Sequence, residues 1–127
     1  TPTRSPTPKP VAGEVTEAEQ AVIDSFETYM AKTMKQLEDL GESLEGAALT
    51  PSVVDGETML KEGLKNNPGS PTIALALTEF NLRRGVRFRD DARRYYKIVE
   101  LSDRASVDQK NLAITRLEEL KQLQQPQ

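Results

Sequence analysis

The sequence has no cysteine, no histidine and no tryptophan among its 127 residues. Zinc fingers, thiol nucleophiles and the commonest general base all depend on cysteine or histidine, so these chemistries lose their usual groups. No disulfide can form either, and the folded part must be stabilised by packing alone. We therefore expect no metal site, no bound cofactor and no catalytic residue of these kinds.

The sequence also lacks the short motifs that hold phosphates, dinucleotides or a nucleophilic serine, and it has no acidic loop with calcium spacing. Adjacent carboxylates in predicted helices point about 100° apart and cannot act together on one substrate. Such pairs are typical of a solvated helix face or of a helix start. They occur at Glu38–Asp39, Asp90–Asp91 and Glu118–Glu119. The prediction is that the protein is not an enzyme.

Long apolar runs are missing as well. No stretch approaches the roughly 20 apolar residues that cross a bilayer, so no membrane-spanning segment is predicted. A mass of 14.1 kDa with 36% hydrophobic residues fits one domain. The chain begins with Thr1 rather than Met, and we expect an upstream segment to have been removed. A soluble, processed chain without cysteine would suit export, the periplasm or an organelle, and the localisation stays open.

Proline is concentrated at the N-terminus, where Pro2, Pro6, Pro8 and Pro10 are half of the eight prolines. The residues between them are mostly small or basic and bury no apolar surface, and proline itself removes backbone donors. Residues 1–15 are therefore predicted to form a flexible tether, a spacer between an upstream anchor and the domain.

Apolar residues recur every three or four positions through most of the remaining chain, and no segment shows the alternation of a strand. Capping signals agree with this period. They are Thr16 with Glu19, Thr50-Pro51, Ser70-Pro71 and Ser106 with Gln109. The prediction is an all-α domain over residues 16–124 with a polar end at 125–127. Its five helices are expected at 17–40, 51–66, 71–84, 90–103 and 107–124, and Gly41 is expected to end the first of them.

The connections after the second, third and fourth predicted helices are short, about four, five and three residues, which favours antiparallel hairpins. A weak internal repeat accompanies them. Gly56, Leu60 and Gly63 are matched 36 residues later by Ala92, Tyr96 and Val99. Small residues let helix backbones approach and the large one fills the gap between them. A repeat of this length is typical of helical-hairpin solenoids.

The sequence resembles the tetratricopeptide repeat family over residues 51–124. That family has a small, a large apolar and a second small residue at fixed spacing in the second helix of a hairpin, followed by a proline. Gly56, Leu60, Gly63 and Pro68 follow this pattern. The resemblance implies antiparallel helical hairpins whose concave face binds a peptide, here an acidic or C-terminal one.

Other positions either extend this resemblance or depart from it. The stretch from Gly85 to Tyr96 is similar to the family's turn, small residue and aromatic pair. Thr78 and Asn81, however, stand where the first helix prefers a small and an aromatic residue, and Arg104 replaces the second proline. A divergent repeat pair with a capping helix is therefore the interpretation, and an unrelated orthogonal bundle of five helices is the alternative.

Acidic and basic residues are segregated along the chain. Residues 16–48 carry eight acids and two bases, whereas residues 83–97 carry seven bases and two acids. Guanidinium groups can bind carboxylates and phosphates in a bidentate manner, so the basic segment is a candidate interaction surface. The residues predicted to contact a partner are Arg84, Arg87, Arg89, Arg93, Arg94 and Lys97. The alternative is that the acidic first helix folds over this segment and neutralises it.

Two classes of function follow. The first is a non-catalytic protein–protein interaction or assembly module, an adaptor or subunit of a larger complex, which binds an acidic or C-terminal peptide. The second is a nucleic-acid-associated accessory protein, in which segment 83–97 contacts phosphates and Phe88, Tyr95 and Tyr96 stack on bases. The net charge of −3 and the acidic remainder of the chain oppose nucleic-acid binding, so the first class is preferred.

Overall fold

The computed structural model describes residues 15–124, apart from the side chains of Val86 and of residues 120–124. Within that range it contains a short 3-10 turn, Val86–Phe88, and no strand. The α-helices of the described residues are α1 (Glu17–Asp39), α2 (Pro51–Asn66), α3 (Pro71–Arg84), α4 (Arg89–Leu101) and α5 (Val107–Gln124). The predicted all-α fold is confirmed, with helix bounds that differ by at most two residues. The predicted tether over residues 1–15, except for Val15, and the predicted polar end at 125–127 lie outside the described residues.

Both predicted capping boxes form. The Thr16 hydroxyl accepts a hydrogen bond from the Glu19 amide at 3.1 Å, and the Glu19 carboxylate accepts one from the Thr16 amide at 3.0 Å. Ser106 and Gln109 exchange the same two bonds at 3.0 and 2.9 Å. Thr50 behaves differently, because its hydroxyl donates to the Ala47 carbonyl at 2.7 Å and caps no amide of α2. The start of α2 therefore relies on the proline at its first turn.

Gly41 ends the first helix in the left-handed region, with φ of 68°. Its amide donates to the Glu38 carbonyl at 3.0 Å, and the Glu42 amide donates to the Leu37 carbonyl at 2.8 Å. These two bonds are those of a Schellman motif, which glycine favours because the left-handed region carries no steric cost for it. The glycine stop predicted for the first helix is confirmed.

The helices pack in chain order. α1 packs against α2, and α3 packs most extensively against α4. In addition, α3 contacts both helices of the preceding hairpin, and α5 contacts both α3 and α4. The connection from α4 to α5 covers residues 102–106, which is longer than the predicted three residues. Each helix therefore packs against the helix before it, and α3 and α5 also contact the helix two places earlier, α1 and α3 respectively.

The core consists of two hydrophobic clusters that meet on α3. The larger cluster joins α1, α2 and α3 and includes Met30, Val53, Leu60, Ile73, Leu77 and Phe80. The smaller one joins α3, α4 and α5 and includes Ala74, Tyr96, Val99 and Ala113. Because α3 contributes to both clusters, it is the central helix of the domain.

All six residues of the predicted internal repeat are buried. A Cβ added to Gly63 would lie 2.4 Å from Cγ1 of Val22, and one added to Gly56 would lie 2.8 Å from the sulfur of Met30. Real Cβ atoms do not approach so closely, so these glycines permit the close packing of α1 on α2. The role predicted for small residues at these positions is confirmed.

Candidate interaction surface

The arginine-rich segment 83–97 covers the end of α3, the 3-10 turn and most of α4, and its side chains point in several directions. On α4, Ala92, Tyr96 and Val99 are buried, as predicted. The opposite side of that helix is exposed, with Asp90 and Arg94 side chains 82% and 73% accessible. The segment is therefore partly core and partly surface.

Arg84 is not a surface residue, and its predicted role in contacting a partner is wrong. Its side chain is 3% exposed and forms an ion pair with Glu57 at 2.9 Å. The same guanidinium donates to the Ala48 carbonyl at 2.7 Å and to the Asn81 side-chain oxygen at 3.2 Å. We call Arg84, Glu57, Asn81 and the Ala48 carbonyl the first ionic cluster. It links α2, α3 and the loop between α1 and α2.

Aromatic rings complete the surroundings of Arg84. Its guanidinium carbon lies 3.9 Å from the centre of the Phe88 ring and 5.7 Å from that of Phe80, distances typical of cation–π contacts. The sequence held a signal of this burial, because Ile73, Leu77, Phe80 and Arg84 follow one helical stripe. Glu57 likewise stands between Val53 and Leu60 on the buried stripe of α2.

The other predicted contact residues remain accessible to a partner. Arg87, Arg94 and Lys97 are exposed, and Arg89 and Arg93 are half-buried. We call these five residues the basic strip. Residues 87–97 carry five bases and two acids, a net charge of +3.

The ion pairs of the basic strip within the described residues are local. Arg93 lies 3.6 Å from Asp90, and Arg94 lies 3.7 Å from Asp91, both one helical turn apart on α4. The exposed Arg87 has its guanidinium carbon 5.9 Å from the centre of the Phe88 ring. Surface pairs of this kind contribute about 0–1 kcal/mol each, so they leave the arginines available to another carboxylate.

The acidic first helix does not cover the basic strip. It packs against α2 and α3. Among the described residues, the ion pairs that join the first hairpin to the rest are Glu57–Arg84 and Glu19–Arg104. Neither involves a residue of the basic strip, so the ion pairs of the described residues do not support the alternative in which the first helix neutralises the segment.

The aromatic residues interleaved with the arginines are engaged in packing. Arg84 lies over the Phe88 ring. Tyr96 is 7% exposed, and burial together with a hydrogen bond to Glu100 raises its pKa to about 12. Tyr95 is half-buried against the larger core cluster, and burial raises its pKa as well. Tyr96 therefore offers no surface on which bases could stack, and Phe88 and Tyr95 are each half-buried.

A second ionic cluster, which the sequence pattern does not predict, surrounds Glu19. The Glu19 side chain is 1% exposed and binds Arg104, the Ser70 hydroxyl and the Thr16 amide. Burial alone would raise the pKa of Glu19, but the hydrogen bonds from Arg104, Ser70 and Thr16 outweigh it and lower the pKa. This cluster links the start of α1, the start of α3 and the loop before α5. Its sequence signal was the position of Glu19 one turn before Ile23 on the buried stripe of α1.

Arg83 lies apart from the basic strip. It is exposed and lines two neighbouring clefts, one between α1 and α3 and one between α3 and α5. The floor of the first cleft contains Phe26 and Phe80, whose rings meet edge to face at 5.4 Å. In the second cleft, Arg116 lies 3.6 Å from Glu79. Arg83 therefore provides an exposed arginine from the same segment on a different surface.

The chain matches no protein-family model, no curated protein and no solved structure. Across residues 15–124, no helix is long and apolar enough to cross a membrane. The described residues also contain no group of three or more acidic side chains that could hold a metal ion.

Proposed function

We propose that this protein is a non-catalytic interaction module that binds an acidic segment of a partner protein through the basic strip. The observation that carries the proposal is the exposed charge of that strip, a net +3 over residues 87–97. Like charges placed this close repel one another, and an anionic partner relieves that repulsion.

The chemistry of the strip favours carboxylates over nucleic acid. Its arginines can bind a carboxylate with two parallel hydrogen bonds, which gives geometry as well as charge. Single-stranded nucleic acid is usually bound by a basic groove together with exposed aromatic rings. Tyr96 is buried, Arg84 lies over the Phe88 ring and Tyr95 packs against the core, so the strip has little exposed aromatic surface for stacking, which favours the peptide.

The packing of the helices supports the interpretation of the domain as a divergent repeat pair with a capping helix. Contacts of α3 with both helices before it, and of α5 with both helices before it, are what a stack of hairpins requires. Thr78 and Asn81, which are buried, and the half-buried Arg104 depart from the family's pattern. The hydroxyl of Thr78 and the amide of Asn81 each donate to a carbonyl of α3, and Arg104 pairs with Glu19. These departures are therefore compatible with the same stacking.

The test is binding of a fluorescently labelled poly-glutamate peptide, measured by anisotropy at about 150 mM salt. The variant carrying Arg87→Ser, Arg93→Ser and Arg94→Ser should bind about tenfold or more weakly than the wild type. Arg83→Ser is the matched control, because it removes an exposed arginine of the same segment from another surface. Binding should be unchanged in this control, and both variants should unfold close to the wild-type temperature.

A labelled single-stranded oligonucleotide in the same assay tests the alternative. If the oligonucleotide binds more tightly than the peptide at about 150 mM salt, with a salt dependence of several released ions, the protein is a nucleic-acid accessory and the proposal is wrong. Equal peptide binding by the wild type and the triple variant would also contradict it.

A further inference from the structure

The two hairpins carry opposite charge. Residues 15–67, which contain α1 and α2, carry eleven acids and four bases, a net charge of −7. Residues 68–106, which contain α3 and α4, carry five acids and eight bases, a net charge of +3. The ion pairs that connect them, Glu57–Arg84 and Glu19–Arg104, are largely buried, so most of this asymmetry remains on the surface.

The basic hairpin presents an amphipathic stripe. Arg94, Lys97 and Leu101 follow one another at helical spacing on the exposed side of α4. Leu101 is 77% exposed, a large apolar side chain left in water beside two cations. A partner that covers this stripe therefore needs an acidic rim and an apolar recess.

The acidic hairpin has a groove of that kind. It is lined by residues of α1 and α2 alone, with Val22, Met59 and Gly63 providing its apolar surface and Glu62 an exposed carboxylate. No base lines it. The adjoining depression on α1 shares Ser25 with the groove, and it is lined by the exposed carboxylate of Asp24 and, one helical turn beyond Thr28, by the exposed Lys32.

We propose that the stripe Arg94–Lys97–Leu101 of one molecule docks on the α1–α2 groove of a second copy of this chain. The inference rests on the proposed function, because it uses the basic strip and names its acidic partner. Leu101 would enter the apolar part of the groove, and Arg94 and Lys97 would face Asp24 and Glu62. The two surfaces are different and lie on different hairpins, so the contact either repeats head-to-tail into an open chain or ring or is made twice across a two-fold axis in a closed dimer.

The charged part of this contact predicts how it responds to salt. Exposed charges are screened within about 10 Å at 0.1 M ionic strength, so association should be strongest in dilute buffer and weaken as salt is added. Light scattering coupled to gel filtration should give an average mass that rises with protein concentration at low salt. At about 0.5 M salt the same protein should approach the monomer mass of 14.1 kDa.

Single charge reversals locate the stripe. Arg94→Glu should abolish the rise in mass at low salt. Arg83→Glu makes the same change of charge at an exposed arginine of the same segment but outside the stripe, and it should associate like the wild type. Leu101→Ser should weaken association without any change of charge.

A charge swap gives the sharpest test. The variant Arg94→Glu/Lys97→Glu and the variant Asp24→Lys/Glu62→Lys should each be monomeric, because each carries like charges on both surfaces. An equal mixture of the two should associate again, since the acidic groove of the first meets the intact basic stripe of the second. Restoration in the mixture also shows that both variants are folded.

The outcomes separate this inference from the proposed function. A wild-type protein that is monomeric at every concentration in low salt, but still binds poly-glutamate through the basic strip, overturns self-association alone. Association that survives both double reversals also overturns it, because another surface is then responsible. If every strip variant keeps both association and peptide binding, both proposals are wrong.

Discussion

The two ionic clusters of the domain differ in which member of the ion pair is more deeply buried. In the first cluster both members are buried, with Arg84 3% exposed and Glu57 10% exposed, and Glu57 also pairs with the exposed Lys61. In the second the carboxylate is inside, with Glu19 1% exposed and Arg104 27% exposed. A charge left in the interior without its partner is costly, whereas one that can reach water is not. The two Arg–Glu pairs should therefore respond differently to substitution. Loss of the glutamate should be the more destabilising change in the first cluster, and loss of the arginine in the second.

The two clusters also connect different parts of the chain. Arg84 stands at the end of α3 and binds the Ala48 carbonyl just before α2. Glu19 stands at the start of α1 and binds Ser70, the N-cap residue of α3, and Arg104 in the loop before α5. The first cluster thus ties the end of α3 to α2 and to the loop before it, and the second ties the starts of α1 and α3 to the loop before α5; each crosses from the first hairpin to the second.

A substitution in the smaller core cluster, away from the buried charges, gives a reference for the changes in the free energy of unfolding expected in the two ionic clusters. Tyr96→Ala should lower the free energy of unfolding by roughly 3–5 kcal/mol, because it removes a large side chain that is 7% exposed. Arg93→Ala on the same helix should cost well under 1 kcal/mol. Chemical denaturation measures both, and equal effects would mean that α4 buries a different face.

In the first cluster, loss of the carboxylate should cost more than loss of the arginine. Glu57→Gln leaves Arg84 buried without a counter-ion and should destabilise by about 3 kcal/mol. Arg84→Met should cost less, since Glu57 keeps Lys61 at 3.3 Å. The double variant Arg84→Met/Glu57→Gln should be more stable than Glu57→Gln alone, as a denaturation cycle would show. The reverse order would contradict the assignment of Arg84 as the more deeply buried member.

In the second cluster the order should be reversed. Arg104→Met leaves Glu19 buried without its cation and should cost about 2 kcal/mol, less than in the first cluster because Ser70 and Thr16 still donate to the carboxylate. Glu19→Gln should cost about 1 kcal/mol, because the partly exposed Arg104 can be hydrated. Denaturation of the two single variants decides the order.

The second cluster should also make the domain sensitive to acid. The folded-state pKa of Glu19 lies below its ordinary value of 4.5, so the unfolded chain binds the proton more tightly. The stability that this carboxylate contributes is present above the ordinary pKa and is lost as the pH falls through the folded-state pKa. Thermal unfolding from neutral to acidic pH should therefore show a shallower loss of stability in Glu19→Gln than in the wild type. Parallel curves would contradict the role of Glu19.

Local signals predicted the helices well because the forces that set them act within a few residues. The capping boxes at Thr16 and Ser106 and the glycine stop at Gly41 were all read from neighbours in the sequence. The same locality explains what was missed. Glu19 was assigned only its local bond to Thr16, whereas it also binds Ser70 and Arg104, which are 51 and 85 residues away.

The candidate site was predicted in part. The basic strip is accessible, as expected, but Arg84 is not, because charge groups it with the strip whereas helical phase places it in the core. Position alone places Arg84 one turn after Phe80 on the buried stripe of α3, and it places Glu57 on that of α2. Opposite charges on two buried stripes predict a buried pair. Which stripes face each other depends on tertiary packing, which the sequence pattern does not contain.

The central claim is that the basic strip is not neutralised within the molecule and is therefore available to an acidic partner. The most direct measurement is the free energy of unfolding of dilute protein across a salt series, for the wild type and for the variant with Arg87, Arg93 and Arg94 replaced by serine. Salt should leave the free energy of unfolding of the wild type unchanged or raise it, because screening relieves repulsion along the strip. The variant should be about as stable as the wild type or more stable. If salt and the triple substitution both lower the free energy of unfolding, the strip is paired inside the molecule and the claim is wrong.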